Sequence, residues 1–223
     1  MGIRAVAFDV DGTLYPNRTM YLKSVGFGLR HARLMIAYGR VRRAIRSIRP
    51  IEDFRQLQAR MLSEELSVTV DEAARLVHSI VYNEWEEIIR EVPAYPHIRE
   101  MILDLRARGI RTGVVSDFPV ERKLSFLGLG DLWDCAFSAE EVKYLKPNRE
   151  PFEHLAECLV VPVSSTLYVG NSYRYDVLGA KNAGMLCAHI AKKPERNSVA
   201  DVTFSDYRTL HEWILSNKDP RQT

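Results

Sequence analysis

The sequence predicts an α/β fold: a doubly wound parallel sheet with a small all-helical unit inserted after the first strand. Two observations carry this expectation. Short apolar runs at residues 3–8, 111–115, 135–137, 166–169, 186–190 and 202–204 alternate with stretches of helical period, the rhythm of a parallel sheet with helices on both faces. Between about residues 15 and 92 that rhythm stops, and apolar residues recur only at helical spacing. The expected division is a core of residues 1–14 plus 93–217, a helical unit of 15–92, and a frayed polar tail, 218–223.

Ile3, Ala5, Val6, Ala7 and Phe8 form the first buried strand, and Gly12 breaks it. In the helical unit, Leu34, Val41, Ile45 and Ile48 share one face, Arg42, Arg46 and Arg49 fall on another, and Pro50 ends the helix. A second helix covers about 52–65. A third starts at Thr69, an N-cap followed by Asp71 and Glu72 in its first turn, and continues through Val77, Val81 and Trp85. These three, with the segment before them, read as a four-helix-type bundle. Pro93 and Pro96 return the chain to the α/β rhythm. Helices are then expected at 97–108 (Gly109 closing it), 120–127, 150–159, 175–183 and 207–215, with the remaining strands between them.

The 223 residues are 46% apolar and 27% charged with a net charge of +2, which gives no general call for nucleic acid or membrane. No signal peptide or membrane-spanning run is read, so a cytoplasmic location is expected. Cys135, Cys158 and Cys187 are widely spaced and read as reduced thiols.

The first half of the helical unit is strongly basic and the second half acidic. Side-by-side helices of opposite charge are expected to satisfy one another. The alternatives are a few arginines that grip an anionic substrate, or a macromolecular partner, for which no RNA-binding motif speaks.

Chemistry concentrates at strand ends. Asp9-Val10-Asp11-Gly12-Thr13-Leu14 puts two carboxylates two residues apart where the first strand stops, the place at which open α/β sheets bind ligands. Such a pair repels unless a cation or a proton intervenes. Oxygen-ligated Mg²⁺, a carboxylate nucleophile and a carboxyl proton donor are the parts of metal-assisted phosphoryl transfer. A plain Asp-capped turn is the bland alternative. Ser116-Asp117 ends a later strand, where a hydroxyl suits a phosphoryl oxygen or merely an N-cap. Lys146-Pro147-Asn148 lies between a strand and a helix, and Gly170-Asn171-Ser172 through Asp176 opens the helix after the next strand.

Taken in order, these four stretches resemble the signatures of the haloacid dehalogenase-like (HAD) hydrolases, and the helical unit resembles their C1 type of cap. The resemblance implies a Mg²⁺-dependent hydrolase of a small phosphorylated metabolite, without nucleic acid or membrane. Asp9 is then the nucleophile and Asp11 the general acid/base. Ser116 and Lys146 hold the transferring group, and Asp9, Asp11, Asn171 and Asp176 hold the metal. Thr13 and Asp117 are weaker substrate candidates, joined by Tyr15 and Arg18 from their place at the exit to the cap, where turn chemistry is an equal reading. Family members usually carry an acid where Asn171 stands, which removes one negative charge from the metal site and leaves a non-catalytic binding protein as an alternative. Asp11 favours phosphate esters over halides, since halide leaves without a proton. A phosphomutase on the same core stays open, as does the oligomeric state.

Overall fold

The computed structural model describes residues 2–217, so the expectation for 218–223 lies outside the described residues. Six strands form one parallel sheet: β1 (Ala5–Phe8), β2 (Arg111–Ser116), β3 (Cys135–Ser138), β4 (Thr166–Gly170), β5 (Leu186–Ile190) and β6 (Val202–Phe204), in the spatial order β3-β2-β1-β4-β5-β6. The order reverses direction at β1, so the loops after β1 and β4 diverge and leave a crevice at their carboxyl ends.

Strand alternation builds a layer on each face. Ala5, Ala7, Val115 and Tyr168 pack with Phe152, Leu155 and Ala180, from α9 (Glu150–Cys158) and α10 (Leu178–Ala183). Val6, Phe8, Val114 and Val169 pack with Ile102 and Leu105 of α7 (Ile98–Ala107), Leu124 of α8 (Glu121–Phe126), and Leu210 and Ile214 of α11 (Tyr207–Asn217).

The segment between β1 and β2 is helical, as the sequence predicts. Two short helices, α1 (Asn17–Lys23) and α2 (Val25–Arg30), lead into α3 (Ala32–Ile45) and α4 (Phe54–Leu66). The Asp53 side chain caps α4 at the Gln56 amide, and Thr69 caps α5 (Val70–Leu76) at the Glu72 amide. From α5 the chain runs on through a wide π-helical stretch, Val77–Glu84, one further turn, α6 (Trp85–Glu87), and a 3₁₀ turn, Ile88–Glu91. The apolar stripe of α3, with Leu34, Tyr38, Val41 and Ile45, is buried against Phe54, Leu62, Leu66, Val77 and Val81.

Two expectations are corrected. Cys135, opening β3, and Cys158, closing α9, are disulfide-bonded with Cα atoms 6.0 Å apart; only Cys187 is a free thiol, and it is buried. Sequence distance hid this pairing, because α9 folds back and returns the chain to the start of β3.

The charges of the helical insert also do not simply cancel inside it. Lys23–Glu91, Arg30–Glu84 and Arg40–Glu65 pair as expected, but Arg42, Arg46 and Arg49 turn to the core. Arg42 lies beside the stripe that α3 buries, over the Tyr38 and Phe54 rings, and the carboxylates these three arginines meet, Glu140, Asp117 and Glu150, come from the segments after β2 and β3. Among the described residues, no helix is long and apolar enough to cross a membrane.

Candidate active site

Asp9 continues β1, its amide bonded to the Val169 carbonyl at 2.9 Å. The chain then turns sharply: the amides of Thr13 and Leu14 both donate to the Val10 carbonyl, and Gly12 takes φ +86°. That conformation favours glycine, and a Cβ there would also meet the side-chain amides of Asn17 and Asn171, which would have to move aside. The turn thus lets the loops after β1 and β4 close on each other, with the Thr13 hydroxyl 3.0 Å from Asp9 Oδ2 and 3.5 Å from Asn171 Oδ1.

Lys146 enters from the loop after β3. Its ammonium is buried and saturated, donating to Asp9 Oδ1 at 2.7 Å, Asp176 Oδ1 at 2.6 Å and the Tyr168 hydroxyl at 3.0 Å. Burial works against that charge, but Asp176 and Asp9 override it and hold the lysine firmly protonated. Asp176 is fixed on its other oxygen by the Ser172 amide at 2.9 Å. Burial pushes the Asp9 carboxyl above the usual carboxylate range against the pull of Lys146, and the charges of Asp176 and Asp11 reinforce the push.

Asp11 faces away from this group. Both of its oxygens lie 2.8 Å from Lys123 Nζ, and it accepts hydrogen bonds from the Tyr15 hydroxyl at 2.5 Å and the Ser116 hydroxyl at 3.1 Å. Burial would raise the carboxyl, but Lys123 and the two hydroxyls outweigh it and keep Asp11 below its ordinary range, ionised.

Of the residues singled out in the sequence, Asp9, Thr13, Lys146, Asn171 and Asp176 therefore cluster, and Asp11, Tyr15 and Ser116 form an adjoining group. Asp117 is committed to scaffolding: one oxygen accepts from the Lys146 amide at 3.0 Å and the other from Arg46 Nη2 at 2.5 Å. Arg18 is exposed on α1, and the structure does not bring it into either group.

Lys123 escaped the sequence reading because a lysine in Glu121-Arg122-Lys123 looks solvated. Its helical phase is the missed signal, since Val120 and Leu124 flank it on the same buried face.

The donor set suits a hard divalent cation. Three carboxylates (Asp9, Asp11, Asp176) stand against two buried ammonium groups (Lys123, Lys146), so the site carries net negative charge, and every candidate ligand offers oxygen. Among the described residues no three His, Cys, Asp or Glu side chains converge by themselves. The cation would therefore draw on Asp9, Asp176, the Asn171 amide oxygen and main-chain carbonyl oxygen rather than on a cage of carboxylates.

A family model described as a haloacid dehalogenase-like hydrolase matches residues 3–184. A glyceraldehyde 3-phosphate phosphatase of Methanocaldococcus jannaschii is 30% identical over 116 residues, 51% of this chain and 50% of the relative; the match thus spans half of that relative's length. Pyrophosphatase PpaX of Anoxybacillus flavithermus is 25% identical over 202 residues, covering 86% of this chain and 85% of the relative. Among solved structures, an HAD phosphatase from Thermococcus onnurineus superposes with a TM-score of 0.63 at 23% identity, over 97% of this chain and 99% of the other. An L-2-haloacid dehalogenase from Xanthobacter autotrophicus gives 0.66 at 16% identity, over 96% and 98%. At these identities the structural likeness speaks for the fold alone.

Proposed function

Because the chain belongs to the haloacid dehalogenase-like hydrolases, and is thus an enzyme, we propose that it hydrolyses phosphate monoesters of small metabolites through a covalent aspartyl-phosphate on Asp9. The observation that carries this reading is the pairing of a buried strand-end carboxylate, Asp9, with a second carboxylate two residues on that is held apart from it by its own lysine. Two acids in different environments can take different roles.

Asp9 Oδ1 is oriented by Lys146 and Oδ2 by Thr13, which fixes the carboxylate for in-line attack on phosphorus. Lys146 and the Ser116 hydroxyl compensate the charge of the transferring group. Asp11 protonates the leaving alkoxide and afterwards takes a proton from the water that cleaves the acyl phosphate. Its ionised state beside Lys123 suits the second of these duties, and the first requires the proton to reach Asp11 from solvent or substrate. Bound Mg²⁺ would supply Lewis-acid charge compensation, with Asp9, Asn171, Asp176 and the Asp11 carbonyl as its holders.

The helical insert serves in this reading as a C1-type cap, with the boundaries 15–92 against 1–14 plus 93–217, and it restricts access to small substrates. A cytoplasmic location stays part of this reading on the sequence expectation alone, and the Cys135–Cys158 bridge weighs against it, because disulfides are rare in reducing compartments.

The reading is tested with an aryl phosphate and Mg²⁺, followed by a panel of phosphorylated metabolites. Turnover that Asp9→Asn abolishes in a folded protein supports it. No turnover of any ester by a Mg²⁺-saturated wild type favours the second reading, a binding protein on this scaffold, which Asn171 motivates. Interconversion of a sugar phosphate without release of inorganic phosphate would indicate a mutase.

A further inference from the structure

Arg46 follows the last residue of α3, on the insert, yet three of the four site loops of the core meet on its guanidinium. Nε donates to the Lys146 carbonyl at 2.7 Å, and Nη2 donates to Asp117 Oδ2 at 2.5 Å. Its Cζ lies over the Tyr175 ring, 4.4 Å from the ring centre, in the turn that carries Asp176, and Nη1 returns to the Arg42 carbonyl at 2.7 Å.

The other oxygen of Asp117 accepts from the Lys146 amide at 3.0 Å. Lys146 is therefore gripped at both ends of its own backbone unit. The circuit runs from the Lys146 N–H to Asp117, to Arg46, and back to the Lys146 carbonyl. Asn148 closes the arrangement from the following residues, donating to the Arg46 carbonyl at 3.1 Å. The Lys146 ammonium has no slack of its own, since its three donors are spent on Asp9, Asp176 and Tyr168. Where its backbone sits decides whether those three bonds can form together.

We propose that Arg46 is a positioning residue for Lys146, so that docking of the helical insert, and not the core alone, places the ammonium between Asp9 and Asp176. Arg46 would act without touching substrate. The planar fork is what the role demands, because it serves a carboxylate and a carbonyl in one plane while it stacks on an aromatic ring; an ammonium offers one point of charge and no face. The consequence is a site assembled only while insert and core are together. The inference rests on the phosphatase reading for its kinetic test, but not for its structural one.

The test compares wild type, Arg46→Met, Arg46→Lys and Arg49→Met. Arg49 is the control: it joins the same end of α3 to the core through Glu150 and Asn148 without reaching the Lys146 backbone. A displacement of about 1 Å at the reacting groups costs on the order of a hundredfold. Arg46→Met is thus expected to lower kcat roughly thirty- to a hundredfold with KM for an aryl phosphate changed by less than about threefold. Arg46→Lys should recover only a small part of the loss, and Arg49→Met should keep kcat near wild type. A rise in KM at unchanged kcat would make Arg46 a substrate ligand and overturn the proposal. Equal kcat losses in Arg46→Met and Arg49→Met would also overturn it, because general docking strength would then be the cause.

The second measurement needs no activity. Hydrogen exchange at the Lys146 amide should be faster in Arg46→Met than in Arg49→Met by tenfold or more, about 1.4 kcal/mol of local opening. Unchanged protection refutes the bracket even if the wild type hydrolyses nothing, whereas a wild type without turnover but with the predicted exchange refutes only the phosphatase reading.

Discussion

The ion pair between Arg42 on α3 and Glu140 in the loop after β3 gives the strongest stability prediction, because both side chains are almost wholly removed from water, at 5% and 3% exposure. Arg42 also donates to Gln58 Oε1 at 3.0 Å and to the Asp117 carbonyl, and sits 4.8 Å from the Phe118 ring centre and 5.3 Å from that of Phe54. Glu140 in turn accepts from the Tyr82 hydroxyl at 2.8 and 2.9 Å. Arg42→Met deletes the guanidinium and keeps most of the apolar volume, so the cost comes from a carboxylate left buried with only Tyr82 as donor. Removing one partner of such a pair costs about 3–5 kcal/mol. In a chain of 223 residues that corresponds to a fall in Tm of roughly 6–20 °C. In Arg42→Met/Glu140→Gln the orphaned charge is gone and Tyr82 keeps an acceptor, so the double variant should recover more than about 2 kcal/mol of the loss. Urea unfolding followed by linear extrapolation measures all four corners of the cycle. An Arg42→Met cost below about 1 kcal/mol, or a double variant no better than the single, would refute the claim that desolvated charge holds this seam.

Other perturbations test other parts of the structure. The Cys135–Cys158 bridge spans 23 residues, for which chain entropy gives about 3 kcal/mol; Cys135→Ser/Cys158→Ala should lower the unfolding free energy by that amount, and reductant should destabilise the parent but not the variant. Glu86 is buried with Oε1 unpartnered, and burial pushes its carboxyl up to about 7, reinforced by Asp11 and opposed by Lys123 and Arg122. A folded-state pKa above the unfolded value means that stability is fully present below about pH 4.5 and declines as pH rises to about 7, so Glu86→Gln should exceed the parent by about 2 kcal/mol at pH 8 and match it at pH 4 in urea titrations. Asn171→Asp adds a carboxylate beside Thr13 and Asp9; the Mg²⁺ concentration giving half-maximal turnover should fall by about tenfold, and an unchanged value would remove Asn171 from the metal's holders.

What the sequence made legible and what it hid divide along a physical line. A strand end followed by a turn is a local event: the apolar run of β1, the glycine at φ +86° and the polar residues between them are contiguous, so the placing of Asp9, Thr13, Ser116, Lys146 and Asp176 on one edge of the sheet follows from reading each loop separately. The residues missed are those whose meaning depends on a partner far along the chain. Lys123 meets Asp11 from 112 residues away, and Arg42 meets Glu140 from 98. Charge pattern alone points α3 towards the acidic helices that follow it, as Arg40–Glu65 obeys, but the geometry turns Arg42, with Arg46 and Arg49 beyond the helix end, to the core instead. Such pairings are also the ones on which the proposed chemistry rests, since the environment of each carboxylate in this site is set by the lysine that faces it. Asp9 and Asp11 are the same residue type two positions apart, yet Lys146 with Asp176 frames one and Lys123 with two hydroxyls frames the other. On the proposed roles, a division of labour between nucleophile and proton carrier would arise from Lys123, Lys146 and Asp176, in the segments after β2, β3 and β4, and not from the identity of the two acids.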